Sequence, residues 1–263
     1  MIARIVPAAL LDIRRPQRLV ERSIMVYRRS WMVIFSGFFE PLFYLFSIRV
    51  GLGKLVGDLT IDGRIVAYDE FVAPGLLAAA AMNGAIFDST MNVFFKWKAA
   101  KLYDSLLTTP LSAGDIALGE IAWAVIRGVM YSAAFLVTML ALGMVHSAWI
   151  VMALPAAALI GFAFGALGMA CTTYMRTWAD FEYVPAATLP LFLFSTTFYP
   201  LSTYGDWGWV VRLSPLYHGV SLVRAANLGE WSYGVVGHVA VLVALAVFGV
   251  AVTARRVEKL LLT

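Results

Sequence analysis

The sequence predicts an all-α, polytopic membrane protein. It has six transmembrane helices, an N-terminal amphipathic helix at the interface, a short helix in a cytoplasmic loop and short re-entrant helices on the outer side. Three observations carry this. Of 263 residues, 61% are hydrophobic and only 14% are charged, with a mean hydropathy of +0.81, too few charges to clothe a soluble domain of this length. Apolar runs of ~20 residues recur, the length that crosses about 30 Å of hydrocarbon. These runs are continuous rather than alternating, so the backbone satisfies its hydrogen bonds as helices, not as a closed barrel.

The six spans read as residues 31–48, 71–94, 116–142, 149–174, 184–200 and 233–254. One membrane domain therefore occupies 1–263: residues 1–30 are a tail and amphipathic helix, 31–254 the six-helix core, and 255–263 a second tail. Gly84, Gly161 and Gly165 inside the spans allow close packing, and Pro41, Pro74, Pro155 and Pro190 are tolerable there. Lys and Arg set the orientation. The two tails and the second and fourth connections hold 14 of them, against 5 in the other connections. The positive-inside rule places both termini in the cytoplasm, as an even number of spans requires. This also accounts for the net charge of +4 without nucleic acid. The N-terminus, with Arg14, Arg15, Arg18 and Arg22, is too charged for a cleavable signal peptide. The single Cys171 allows no internal disulfide and no thiolate metal cluster.

Wound at 100° per residue, 14–29 places Leu19, Val20, Ser23, Ile24, Val26 and Tyr27 on one half. Arg15, Arg18, Arg22, Arg28 and Arg29 fall on the other. Such a helix lies flat at headgroup level, either as an elbow that contacts a cytoplasmic partner or as a topology anchor. The connection 96–115 opens as a short helix, with Leu102 and Leu106 one turn apart and Leu107 beside them, and Pro110 closes it. Lys98 and Lys101 at its start and apolar residues on one side suit docking into a groove on a soluble protein; the alternative is an ordinary connecting loop. The outer connection 201–231 carries Tyr204, Trp207, Trp209, Tyr217 and Arg224, with Leu216, Val220, Val223 and Ala226 at helical spacing. It reads as short helices dipping into the outer leaflet, forming an outer gate or exit surface; the alternative is an aromatic belt at the lipid interface.

Ionisable groups within spans are costly and call for a role. Glu40, beside Pro41, lies in the first span, Asp88, with Asn83 a turn before it, in the second, and Arg127 in the third. Glu40 either lines a pathway or pairs with a neighbouring helix, Arg127 being one candidate; the alternative is separate hydrogen bonding between helices. No G-x-x-x-x-G-K-[ST], H-E-x-x-H or G-x-S-x-G occurs, and His146, His218 and His238 are scattered.

The ordered pieces resemble the permeases of the ABC-2 exporter family, above all those of the nodulation-factor, or lipo-oligosaccharide, export type. They are Glu40-Pro41-Leu42-Phe43-Tyr44-Leu45, Gly51-Leu52-Gly53, Phe71-Val72-Ala73-Pro74-Gly75, Leu106-Leu107-Thr108-Thr109-Pro110-Leu111, Gly119-Glu120, Phe198-Tyr199-Pro200-Leu201 and Leu213-Ser214-Pro215-Leu216-Tyr217-His218-Gly219 with Leu222-Val223-Arg224. The resemblance implies a transport subunit, not an enzyme, in the plasma membrane of a prokaryote. It implies two ABC ATP-binding subunits that carry ATP and Mg, with no cofactor on this chain, and a second permease copy or homologous permease. It implies a coupling helix within Lys98–Pro110, so that Lys98, Lys101, Leu102, Leu106, Leu107 and Pro110 face the ATPase. It also implies outer re-entrant helices, with Tyr199, Tyr204, Trp207, Tyr217, His218 and Arg224 at an outer gate or exit. The cargo it implies is amphiphilic, such as a lipid-linked saccharide, a glycolipid or a hydrophobic drug, moved from the cytoplasm or inner leaflet by alternating access amid membrane lipid. Many relatives open the coupling segment with Arg-Glu-x-Gly; here it reads Lys98-Ala99-Ala100-Lys101, so the gripping side chains differ. An ion-coupled secondary transporter would show inverted repeats, and a lipid-modifying membrane enzyme would show a catalytic polar cluster at one face.

The orientation is checked by labelling. Cysteines introduced at Ala3 and Thr263 are expected to be shielded from impermeant thiol reagents in intact cells, and one at Asp62 to react. Labelling at both termini would reverse the orientation.

Overall fold

The computed structural model describes residues 14–29, 32, 39, 42–61 and 64–261. Helix α1 is Arg14–Arg29. A helical segment over 42–56 (α2) contains a wide π-helical turn at Ile48–Leu52. Strands β1 (Asp58–Ile61) and β2 (Arg64–Ala67) follow, then α3 (Tyr68–Ala99) and α4 (Leu102–Leu106). Next come α5 (Ala113–Ala141), α6 (Ala148–Thr172), α7 (Tyr183–Leu193), α8 (Gly208–Leu213), α9 (Pro215–Leu228) and α10 (Tyr233–Leu261).

Helices α3, α5 and α6 pack against one another at the centre. Helix α10 lies on α6, α9 on α3, and α1 on α5. The α3–α5 crossing is close because small residues meet there. A Cβ on Gly128 would sit 2.8 Å from the Ala81 carbonyl oxygen, and Gly84 faces Gly128 across the same contact. Small residues let helix backbones approach in just this way where no hydrophobic drive between helices operates. Above the crossing, Leu77, Met82, Met139, Ile160 and Leu216 form one buried cluster; below it, Leu19, Ile116, Ile121 and Met169 form another. Helix α5 begins with a reciprocal cap: the Ser112 hydroxyl accepts from the Asp115 N–H, and the Asp115 carboxylate accepts from the Ser112 N–H.

Among the described residues, four helices are long and apolar enough to cross a membrane: Tyr68–Ala99, Ala113–Ala141, Ala148–Thr172 and Tyr233–Val257. They correspond to the second, third, fourth and sixth expected spans. About half of the first expected span lies outside the described residues, Glu40 and Pro41 included.

The fifth expected span, 184–200, is corrected. Helix α7 has 11 residues, and even with the five-residue 3-10 turn Trp178–Glu182 that leads into it the helical run falls short of the ~20 residues that cross the hydrocarbon core. It stops where Phe194 leaves helical dihedrals and Thr196 adopts φ +60°. The irregular backbone beyond it is satisfied internally: the Phe194 N–H donates to the Pro190 carbonyl, and the Ser195 hydroxyl to that of Phe192.

The structure adds one small element to the expected helices. Strands β1 and β2 form an antiparallel hairpin in which Asp58 pairs with Ala67 and Thr60 with Ile65. The dipeptide between them in the sequence, Asp62–Gly63, is a strong short hairpin signal.

The α3–α5 crossing is tested by Gly128→Ala, which places a methyl against backbone and is expected to destabilise by about 1–3 kcal/mol. Gly237→Ala on α10, where nothing lies within 4 Å, is expected to leave stability unchanged or slightly raised. Detergent-induced unfolding of the purified protein checks both; an unchanged Gly128→Ala midpoint contradicts the close crossing.

Candidate functional site

Arg127 is the fifteenth of the 29 residues of α5, about 21 Å from its start at 1.5 Å per residue. Its side chain cannot reach an interface from there, so the charge needs a partner inside. That partner is Asp88 on α3, whose Oδ2 lies 3.1 Å from the Arg127 Nε. Both are buried, at 2% and 6% exposure. Arg127 also donates to the Tyr27 hydroxyl at 2.8 Å and to the Tyr131 hydroxyl. Asn92 donates to the Asp88 carboxylate and, at 3.3 Å, to the Tyr27 hydroxyl. One residue of α1 thus joins a charge pair held by two spans. The Tyr27 ring rests against Trp123, with centroids 5.2 Å apart.

Helix α1 reaches this position through a stripe of Pro16, Leu19, Ser23 and Tyr27, while Ile24, Met25 and Val26 are exposed beside the arginines. The seat is Gly119 of α5, where any Cβ would meet Leu19 at 2.8 Å. Side chains at positions 16, 19, 23 and 27 share a face by helical period. The apolar half read from the sequence therefore divides, one part onto α5 and the other, with Ile24 and Val26, outward.

Arg127 and Tyr131 line a cleft of about 620 Å³ between α3, α5, α7 and α2. Its walls include Leu76, Phe87, Phe135, Val184 and Phe192, and Asn83, Thr90 and Thr188 add polar groups. Asn83 thus lines the cleft rather than contacting the charge pair. A mostly apolar cleft with a few polar groups is of a size and character to hold a small amphiphile.

At the end of the bundle that bears α1, Lys101 adopts a left-handed conformation, φ 45°, and starts α4. Leu102, Leu106 and Leu107 are half-buried against the lower cluster of this same chain. Their face is thus largely occupied from within. Lys98, Lys101, Asp104, Ser105, Thr108, Thr109 and Pro110 are exposed. Behind them Lys96 pairs with Glu120 at 2.6 Å, and burial raises the Tyr103 phenol well above its usual range.

The residues expected at the outer side do not form one cluster. Tyr199 and Trp207 are exposed, and the Tyr204 hydroxyl donates to the Leu193 carbonyl at 3.3 Å. Arg224 turns inward, donating to the carbonyls of Thr196 at 2.9 Å and Phe71 at 3.3 Å, and so ties α9 to the end of α7 and the start of α3. Tyr217 and His218 face His238 of α10.

Sequence reasoning missed Tyr27, Asn92, Tyr131, Lys96 and Glu120. Asn92 follows Asp88 by four residues and Tyr131 follows Arg127 by four, the spacing at which helical side chains meet, so both were findable. Nothing local marked Tyr27 as the partner of a residue 100 positions away.

Residues 16–228, which run from α1 through α9, match the family described as ABC-2 type transporter. The chain is 32% identical over 234 residues to Nodulation protein J of Sinorhizobium fredii (strain NBRC 101917 / NGR234), covering 85% of this chain and 88% of that protein. It is 30% identical over 217 residues to Nodulation protein J of Rhizobium meliloti (strain 1021), covering 79% and 81%. It is 28% identical over 214 residues to the Inner membrane transport permease YadH of Escherichia coli (strain K12), covering 79% and 80%.

The charge pair is tested by a double-mutant cycle. Asp88→Leu or Arg127→Met alone leaves an uncompensated buried charge and is expected to destabilise by about 3–5 kcal/mol. The combined variant is expected to recover most of that loss in the same unfolding assay. Additive losses would show that the two residues act separately.

Proposed function

The chain belongs to the ABC-2 type transporter family, and from that premise we propose that it is the membrane subunit of an ATP-driven exporter of amphiphiles. In this reading, two copies assemble with two separate ATP-binding subunits in the inner membrane of a bacterium, with both termini in the cytoplasm. The cargo is a lipid-linked saccharide, a glycolipid or a hydrophobic drug. The observation that carries the reading is the cleft between α3, α5, α7 and α2, whose mostly apolar lining includes Arg127 and Tyr131. Its apolar walls suit an acyl or ring system, and Arg127 and Tyr131 suit a headgroup with hydrogen-bond acceptors. Membership of the family supports an ATP-binding partner, and ATP favours one conformation by binding the two states unequally.

The connection Lys98–Pro110 is the proposed contact with that partner, through its exposed side. Asp104, Ser105, Thr108 and Thr109 point outward while Leu102 and Leu106 are held by this chain. Variants of the leucines would therefore disturb internal packing as well as docking, and variants of the exposed residues separate the two effects.

Ser105→Trp and Thr108→Glu are expected to leave the permease inserted and as stable as before. They are expected to reduce copurification of the ATPase ten- to a hundredfold, about 1.4–2.8 kcal/mol, with transport falling in parallel. Asp206→Trp in the exposed turn Leu201–Trp207 is the control and is expected to leave copurification intact. Normal ATPase recovery with both variants would remove this contact, and absence of any ATPase from the unmodified preparation would remove the exporter reading.

A further inference from the structure

The sequence leaves His218 and His238 twenty residues apart, but the fold brings their side chains together across the α9–α10 contact. The two Nδ1 atoms are 2.8 Å apart and the ring centroids 5.0 Å apart. At that distance one Nδ1–H donates to the lone pair of the other, so the two rings hold different tautomers. The Tyr217 ring meets both imidazoles edge-on, with centroids at 5.4 and 5.6 Å, and narrows their freedom to turn away. Both rings are half-buried, so each keeps an accessible side. The third histidine, His146, lies elsewhere, with its Nε2 3.1 Å from Glu70.

Converging imidazole nitrogens on two separate helices form a chelate. We propose that His218 and His238 form a binding site for a borderline divalent transition-metal ion, of the Zn²⁺ or Ni²⁺ class, that clips α9 to α10. Zn–N bonds of about 2.0–2.1 Å at a tetrahedral angle need the nitrogens about 3.3 Å apart, so the rings separate by roughly 0.5 Å to admit the ion. The shared proton leaves the donor Nδ1 and, through solvent, the same ring takes one on Nε2. Both Nδ1 lone pairs then face the metal, and a neutral pair releases no net proton. No group of three or more His, Cys, Asp or Glu that could hold a metal occurs among the described residues, so water completes the coordination shell. Imidazole favours Zn²⁺, Ni²⁺ and Cu²⁺ over Mg²⁺ or Ca²⁺, which prefer oxygen.

The site makes the α9–α10 contact responsive to metal. Helix α10 begins at Tyr233, after the turn that follows Gly229, and a bridging ion adds a second tie to that short connection. The inference stands on this side-chain pair alone and does not depend on the identity of the cargo.

The test is calorimetric titration of the full-length protein in lipid nanodiscs at pH 7.5 with Zn²⁺ up to about 100 µM. Saturable binding with a stoichiometry of one is expected, with none for Mg²⁺. His218→Gln and His238→Gln are each expected to weaken binding at least about tenfold, because a two-point chelate becomes a one-point contact; His146→Gln is expected to leave it unchanged. Lowering the pH to 5.5 is expected to weaken it by about tenfold or more, since protons compete for both nitrogens. If a variant does not fold, the unmodified protein still decides the matter: Zn²⁺ should protect His218 and His238 together from acylation by diethyl pyrocarbonate, mapped by mass spectrometry. Absence of saturable Zn²⁺ binding overturns the proposal, as do binding indifferent to both substitutions and protection that spares either residue.

Discussion

Arg127 is fixed near the middle of a 29-residue apolar helix, and a charge at that depth must be neutralised by protein. Asp88 does so only if α3 lies against α5 at that level, and the two helices can lie so close only because Gly84 and Gly128 meet there. The pair adds little net stability, since each partner gives up its hydration. It sets register instead. Sliding α3 past α5 by one turn, about 5.4 Å, would separate the charges and drive side chains into the Gly128 contact. Three further groups, Tyr27, Tyr131 and Asn92, turn toward the pair, and each ties another part of the chain to that register. The position of α1 and the placing of Arg127 and Tyr131 in the cleft lining follow from it.

A second constraint shapes the far side of the cleft. Lipid offers no hydrogen bonds, so irregular backbone survives at membrane depth only when protein covers it. Residues Ser195, Thr196 and Thr197 after α7 are fully or almost fully buried. Their hydroxyls bond to one another or to nearby carbonyls. The Thr196 carbonyl is taken by Arg224 from α9. Helix α7 itself contributes no buried residue. Val184, Leu191 and Phe192 are only partly buried against the upper cluster, and the Phe94–Phe181 contact, with centroids 5.0 Å apart, and Arg224 hold the two ends. A helix so lightly covered makes a wall that is more easily displaced than the three central helices.

Hydrophobic period made the four long spans legible, along with the start of α1 and the short helix after Lys101, because burial in lipid and burial in protein impose the same run of apolar residues. It misled at α7, where Pro190 and the polar run Ser195–Thr197 sit inside an apolar window and the chain stops being helical at Phe194. It also hid the hairpin: Asp62–Gly63 was visible, but a short two-stranded element is easily lost between two long apolar runs. Of the candidate site, Asp88, Asn83 and Arg127 stood out because polar groups are rare in spans. The pairing did not, because sequence shows the demand for a partner but not which helix supplies it. The exposure of Ser105 and Thr108 was likewise hidden, since Leu102 and Leu106 look the same whether they face a partner or their own chain.

The arrangement at the α1 end bears on how force from a partner would reach the cleft in the proposed exporter. Arg15 of α1 reaches the Pro110 carbonyl at 3.5 Å, Lys96 pairs with Glu120, and Leu19 fills the space above Gly119. The Lys98–Pro110 connection, α1 and the first turns of α5 are therefore tied into one block around a shared apolar cluster. A push on the exposed tip would not be absorbed by a flexible loop, because close-packed side chains transmit displacement. It would travel along α5, whose backbone bonds run unbroken to Arg127, and along α1, whose last turn carries Tyr27 to the same guanidinium. Both routes end on Arg127, which lines the cleft. The buried charge pair would then be the point at which motion of the block changes what the cleft presents. A ligand held there would feel the difference between two states only through groups that move with the block, and Arg127 and Tyr131 are the polar groups on α5 that do.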